Sequence, residues 1–256
     1  MKDPNLCKEF VLLIDHYNLP FSNFLTPRTI LEAWIKRVFI TTTPNMFQIR
    51  VRAYGGWFVG NTASGGRFKA SEFYQANCPP LFKIDETYCR VVFEFADNLI
   101  PMPNSRVVYP GIENTLVERK SPEKIKLRPD VPVCAEPECE IQNIRRWLRK
   151  RRACPRNSCP HTFGDHFYRE EQKQVDIHLA MDLIQFTING SSIRHVALAT
   201  DDNDFLPALM MVAVNHPTAA SITHIRFDNS NTYIDDFLKK TGIEWIKVSS
   251  PLQGGN

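Results

Sequence analysis

Two hydrophobic periods run along the chain. Phe10-Val11-Leu12-Leu13-Ile14 is a continuous apolar run closed by Asp15, the pattern of a strand covered on both faces. Thr26-Pro27 then offers an N-cap and a proline at the first helical position. Ile30, Leu31, Trp34, Ile35, Val38 and Phe39 follow at helical spacing. Gln48–Tyr54 alternates as a strand ended by Gly55-Gly56, 60–66 reads as a loop, and Ala70–Asn77 as a short helix. Arg90–Phe95 and Arg106–Tyr109 are further strand candidates. After about residue 170 the pattern is regular: helix 173–189, strand 194–200, helix 204–215, strand 222–227, helix 232–240 and strand 243–248. Strands alternating with helices predict an α/β fold, a three-layer Rossmann-like parallel sheet with helices on both faces.

The middle of the chain breaks this pattern. Pro110, Pro122, Pro129 and Pro132 sit among charged residues, and a cysteine-rich stretch from Cys134 to His166 follows. The organisation expected is one domain in two parts, 8–110 and 169–248, an insertion over 111–168, and a loose tail over 249–256.

Composition narrows the class. With 256 residues, 43% hydrophobic and 23% charged, the chain is an ordinary globular one, long enough for a substantial core plus an inserted element. No apolar run approaches the roughly 20 residues a bilayer-spanning helix needs. Nor does the start, Met1 to Glu9, resemble a signal peptide. A cytoplasmic protein without a membrane partner is expected. The formal charge of +3 says little, but its distribution says more: Arg145, Arg146, Arg149, Lys150, Arg151 and Arg152 place six basic residues within eight. Such a block neutralises backbone phosphates of a nucleic acid, although it also suits an acidic protein partner or a merely solvated helix face.

Seven cysteines without a secretion signal argue against a disulfide framework. Four are clustered: Cys134-x4-Cys139, fourteen residues, then Cys154-x4-Cys159. Paired knuckles across a spacer are the arrangement of a structural zinc site with four thiolate ligands, His161 being able to replace one of them and His166 a weaker candidate. The alternative, four buried thiols, suits this polar segment poorly. Between the pairs, Ile141, Ile144, Trp147 and Leu148 recur at helical spacing, so a short helix is expected to turn them inward and the basic residues outward.

Three acidic groups complete the pattern. Asp15 ends the first strand, Asp176 opens a helix, and Asp201-Asp202-Asn203-Asp204 follows a later strand. Ligands of open parallel sheets bind outside the carboxyl ends of the strands. Carboxylates gathered there repel one another unless a cation sits among them, and hard oxygen donors suit Mg²⁺ or Mn²⁺. Any one of these aspartates, taken alone, reads equally as a helix cap. Asp182, six residues beyond Asp176, projects roughly 120° away from it and is expected to partner a backbone group or a neighbouring side chain.

Four ordered motifs resemble the NYN domains of LabA-like proteins, within the PIN-like nucleases. They are Ile14-Asp15-His16-Tyr17-Asn18-Leu19, Arg52-Ala53-Tyr54-Gly55-Gly56-Trp57, Lys173-x2-Asp176-x2-Leu179-Ala180-x-Asp182, and Leu198-Ala199-Thr200-Asp201-Asp202-Asn203-Asp204-Phe205. The resemblance covers about 10–57 and 170–248 and leaves the middle unexplained. It implies a metal-dependent endoribonuclease, RNA ahead of DNA, with Asp15, Asp176, Asp202 and Asp204 as metal ligands. Asn18 would position water or a phosphate oxygen, and Lys173 would orient a carboxylate or hold the scissile phosphate. Thr200 stands where the family has serine. Asp201 replaces a glycine and His16 another, two departures that leave room for a second reading: an inactive NYN-like module that binds nucleic acid or protein. A hydrolase of small phosphoesters is a third, disfavoured by the basic block.

Overall fold

A computed structural model of the chain describes residues 9–22, 25–38, 46–84, 87–100, 111, 113–119, 139–149, 153–154, 158–162, 166, 168–189, 193–215, 220–227 and 232–248. It forms two compact units, one of residues 1–115 with 173–256 and one of 116–172.

In the larger unit the order is β1 (Glu9–Asp15), α1 (Pro27–Val38), β2 (Met46–Tyr54), β3 (Phe58–Val59), β4 (Thr62–Ala63), α2 (Gly65–Asn77), β5 (Leu81–Ile84) and β6 (Thr87–Phe95). The smaller unit holds β7 (Leu116–Arg119), α3 (Glu140–Arg149) and β8 (Arg169–Gln172). The larger unit then resumes with α4 (Val175–Asn189), β9 (Ile193–Ala199), a 3₁₀ turn over Asn203–Phe205 leading into α5 (Leu206–Asn215), β10 (Ser221–Arg226), α6 (Thr232–Thr241) and β11 (Glu244–Lys247). The expected strand at Arg106–Tyr109 lies outside the described residues.

The main sheet runs β11-β10-β9-β1-β2-β6-β5. All its neighbours pair in parallel except the edge pair β5–β6, an antiparallel hairpin. Every residue of β1 from Phe10 to Asp15 is buried, as its unbroken apolar run requires of a strand at the centre of such a sheet. Alternate residues feed two cores. Phe10, Leu12 and Ile14 pack with Ile30, Leu31, Trp34 and Ile35 of α1 and with Ala70 and Tyr74 of α2. Val11 and Leu13 pack with Leu179, Leu183 and Phe186 of α4, Leu209 and Val212 of α5, and Leu238 of α6. The result is a mixed α/β unit with a mostly parallel central sheet and helices on both faces, compatible with a Rossmann-like fold.

Local signals explain where sequence and structure part. The chain was expected to loop through 60–66, yet α2 begins at Gly65, because the Ser64 side chain accepts a hydrogen bond from Arg67 N–H and caps the helix there. The two glycines read as loop, but a good cap overrides their poor propensity.

The strand order has one consequence for function. From β1 the chain moves to β2 and β6 on one side; after the smaller unit it returns to β9, β10 and β11 on the other. The loops leaving β1 and β9 therefore diverge, opening a crevice between the carboxyl ends of these two strands.

Within the smaller unit, β7 and β8 pair antiparallel, Leu116 opposite Gln172. An isolated bridge joins Ala153 and Thr162.

Candidate functional site

Asp15 stands at that crevice. It is 1% exposed, and its Oδ2 accepts hydrogen bonds from the Asn18 amide and the Thr200 hydroxyl, each at 2.8 Å. The Asn18 contact is set by the tight turn after β1. The Thr200 contact exists because β9 lies beside β1, Ile14 opposite Ala199, and Thr200 is the next residue on. The Thr200 hydroxyl also accepts from Asp202 N–H at 3.0 Å, and the Asn18 amide lies 3.4 Å from Asp202 Oδ2. One small network thus ties Asp15 to Asp202.

Burial dominates the electrostatics. It pushes the Asp15 carboxyl up to about 6, against the lowering effect of the Asn18 and Thr200 hydrogen bonds, and the charges of Asp176 and Asp202 raise it further. Asp176, in the first turn of α4, is also raised, by partial desolvation and by the charges of Asp202 and Asp204. Asp15, Asp176, Asp202 and Asp204 therefore share one field, although β1, α4 and the turn after β9 supply them separately.

The same residues carry local structural duties. Asp202 caps the 3₁₀ turn, its Oδ1 accepting from Asp204 N–H at 2.9 Å. Asp201 turns toward β10 and accepts from Phe227 N–H at 2.8 Å. Lys173 precedes α4, and its backbone N–H bonds Thr115 O at 2.9 Å. Among the described residues no group of three or more His, Cys, Asp or Glu side chains is arranged to hold a metal ion. The donor chemistry nonetheless fits a divalent cation: hard oxygens, two of them on carboxyls held back from ionising by burial and by one another, which a cation between them would reverse.

Asp182 belongs elsewhere. Buried to 1% exposure, it accepts from Tyr54 OH at 2.7 Å, from Arg52 Nε at 2.9 Å and from Ile100 N–H at 3.0 Å. Arg52, itself buried, also pairs with Glu94 at 2.8 Å. This network ties β2 and β6 to α4.

His16 does not crowd the carboxylates. Its ring packs among Tyr17, Phe21, Trp57 and Tyr74 at centroid separations of 5.0 to 5.6 Å, with Nδ1 3.3 Å from Tyr74 OH. Burial lowers it to about 4, so the imidazole is neutral at physiological pH. Two further groups were not anticipated from the sequence. Arg226, at the carboxyl end of β10, is 5% exposed, and among the described residues neither its Nε nor Nδ1 of buried His224 has a hydrogen-bond partner.

In the smaller unit the cysteine pattern is visible in part. Cys154 N–H bonds His161 O at 3.0 Å beside the Ala153–Thr162 bridge, so Cys154 and His161 lie side by side. Cys139 precedes α3, its carbonyl accepting from Gln142 N–H at 2.9 Å. Cys139, Cys154 and Cys159 are half-buried, while Cys134 lies outside the described residues. The helix expected between the pairs is present as α3, but Ile141 and Ile144 are 65% and 48% exposed and do not turn inward as expected. A ten-residue helix in so polar a segment has little apolar surface to pack against. Arg145 is half-buried; the side chains of Arg146, Trp147, Leu148, Arg149, Lys150, Arg151 and Arg152 lie outside the described residues.

Across the described residues no helix is long and apolar enough to cross a membrane. Compared with family models, with curated proteins and with solved structures, the chain matches none.

Proposed function

We propose that this chain is a divalent-metal-dependent nuclease that hydrolyses phosphodiester bonds, RNA ahead of DNA, on an NYN-like, PIN-like domain. The observation that carries the reading is the placement of Asp15: buried at the crevice between β1 and β9, held by Asn18 and Thr200, and within the field of Asp176 and Asp202. Carboxylates brought together at one crevice hold one another back from ionising, an arrangement that a cation between them would relieve.

Asp15, Asp176, Asp202 and Asp204 would hold Mg²⁺ or Mn²⁺. Bound there, the ion supplies Lewis acidity and lowers the pKa of a water. Asn18 orients that water or a phosphate oxygen through its amide. Lys173, ahead of α4, meets the negative charge on the phosphoryl group. Asp202 has one oxygen engaged in its cap, so Asp204, exposed at the rim, takes the proton as the water oxygen bonds to phosphorus. The bond from phosphorus to the leaving oxygen breaks, and that oxygen is protonated from solvent.

The smaller unit fits an accessory role on this reading. Zinc held by Cys134, Cys139, Cys154 and Cys159, with His161 beside Cys154, would fold a small module that carries the basic run from Arg145 to Arg152. Those residues would hold nucleic acid by its backbone. Metal analysis of protein purified without chelator tests the zinc, and neutralising Arg149, Arg151 and Arg152 tests the binding through a shallower salt dependence.

A second reading has one observation in its favour: Asp201 and Asp202 both serve local hydrogen bonds, as in a pseudo-enzyme whose acidic loop only shapes the fold. One experiment separates the two. Labelled single-stranded RNA, duplex RNA and single-stranded DNA are incubated with the protein and Mn²⁺, Mg²⁺ or EDTA. Cleavage of RNA with metal and none with EDTA is expected; binding without cleavage under every condition selects the inactive module.

A further inference from the structure

The residue after Asp15 opens a second feature. A cavity of about 710 Å³ is lined by His16, Tyr17, Phe21, Lys69, Phe73 and Asn77. Its volume falls within the roughly 300–1,000 Å³ usual for small-ligand sites. One wall is the turn after β1. The other is a single face of α2, since positions 66, 69, 70, 73 and 77 recur at the helical period. Both the cavity and the acidic crevice are reached from the carboxyl end of β1.

We propose that this cavity is a nucleobase pocket, taking an unpaired base of the strand whose phosphodiester reaches Asp15. The proposal rests on the nuclease reading of the acidic site. Four aromatic side chains line it, and three of them cluster: the His16 ring lies 5.3 Å from Phe21 and 6.4 Å from Phe73, and those two phenyl rings are 5.1 Å apart. A flat, polarisable base stacks on such surfaces. Lys69 stands exposed beside the cavity, the complement of a backbone phosphate. Tyr17 closes one side, its hydroxyl seated where a Cβ on Gly66 would lie 2.3 Å away, so glycine there makes room for that ring. His16, a departure within the metal-site motif, becomes a specificity residue on this view.

The test uses the full chain in EDTA and short single-stranded RNA and DNA oligonucleotides carrying the fluorescent base 2-aminopurine at each position in turn. Quenching at one position is expected, with Phe73→Ala abolishing it and weakening binding about tenfold. Phe21→Leu, with circular dichroism to confirm folding, gives the same answer if the first variant does not fold. A fully paired duplex should bind more weakly than either single strand. Quenching at no position, or parental binding by both variants, overturns the pocket. Metal-dependent cleavage without quenching also overturns it while leaving the nuclease reading intact. Quenching with no cleavage under any metal overturns that reading and supports the pocket.

Discussion

The hydroxyl of Thr200 donates to Oδ2 of Asp15 across a separation of 185 residues, at 2.8 Å. It helps hold in place a carboxyl that burial has made reluctant to ionise. The folded, metal-free protein therefore binds this proton more tightly than the unfolded chain. The stability so gained is full below about pH 4 and is lost as pH rises through about 6. Asp15→Asn removes the ionisation but keeps an acceptor for both donors. In EDTA the variant should exceed the parent by on the order of 3 kcal/mol at pH 8, the gap closing toward pH 4. Urea melts at both pH values check this. With Mn²⁺ present the same variant should cleave no RNA; full cleavage would remove Asp15 from the site.

Neighbouring aspartates separate by what they hold. Asp201→Ala strands the N–H of Phe227 and should cost about 1 kcal/mol with cleavage nearly intact. Asp202→Ala loses a cap of similar worth, and cleavage with it. Rates at saturating Mn²⁺, set beside urea midpoints, distinguish the two; the reverse order of rates would shift the ligand set by one residue.

Asp182→Ala should be among the most destabilising single changes, at about 3–5 kcal/mol, because it leaves the Arg52 guanidinium buried with, among the described residues, only the partly exposed Glu94 as ion partner. Tyr54→Phe deletes the hydrogen bond donated to the same carboxylate and the one accepted from Arg52 Nε, yet leaves the ion pair in place, and should cost about 1–2 kcal/mol. Similar losses for both would mean that the ion pair contributes little.

Gly55 and Gly66 both adjoin Tyr17, yet their alanine variants should differ. A Cβ on Gly55 would lie 2.8 Å from the Trp57 ring, which is 1% exposed and cannot withdraw. A Cβ on Gly66 meets the hydroxyl end of Tyr17, a side chain 44% exposed and able to swing out. Gly55→Ala should lower stability by roughly 1–3 kcal/mol. Gly66→Ala should leave the melting temperature close to the parent value and alter the mouth of the aromatic cavity instead. Thermal melts of the two variants decide it.

The central strand and its flanking helices were legible in the sequence because burial on two faces leaves an unbroken apolar run, as in Phe10–Ile14, and an amphipathic helix leaves a stripe, as in Ile30 to Val38. Nothing hinted at β5, where Pro79-Pro80 precede an edge strand held mainly by its hairpin partner. In the site, Asp15, Asp176, Asp202 and Asp204 were legible as acidic residues at element ends, but their hydrogen bonds depend on strand order, which no local pattern encodes. The contact of Thr200 with Asp15 and the cavity beside His16 escaped for the same reason: their partners come from β1, β9 and α2, remote in sequence. Asp182 was legible in one respect, since helix geometry alone turned it away from Asp176 and toward other partners.

The strand order also dictates when the acidic centre can exist. Leu12 of β1 pairs with Val51 on one side and Ala197 on the other. During synthesis at about 5–20 residues per second, the first partner arrives within seconds, whereas the second follows only after the whole 116–172 unit has been made, roughly ten seconds or more later. Until then this apolar strand presents one unpaired edge, a liability for a nascent chain and a source of slow, non-local folding. Every shorter nascent chain also keeps Asp15 apart from Thr200 and Asp202. The carboxylates converge only once β9 has joined β1, so whatever chemistry they perform cannot precede that non-local pairing.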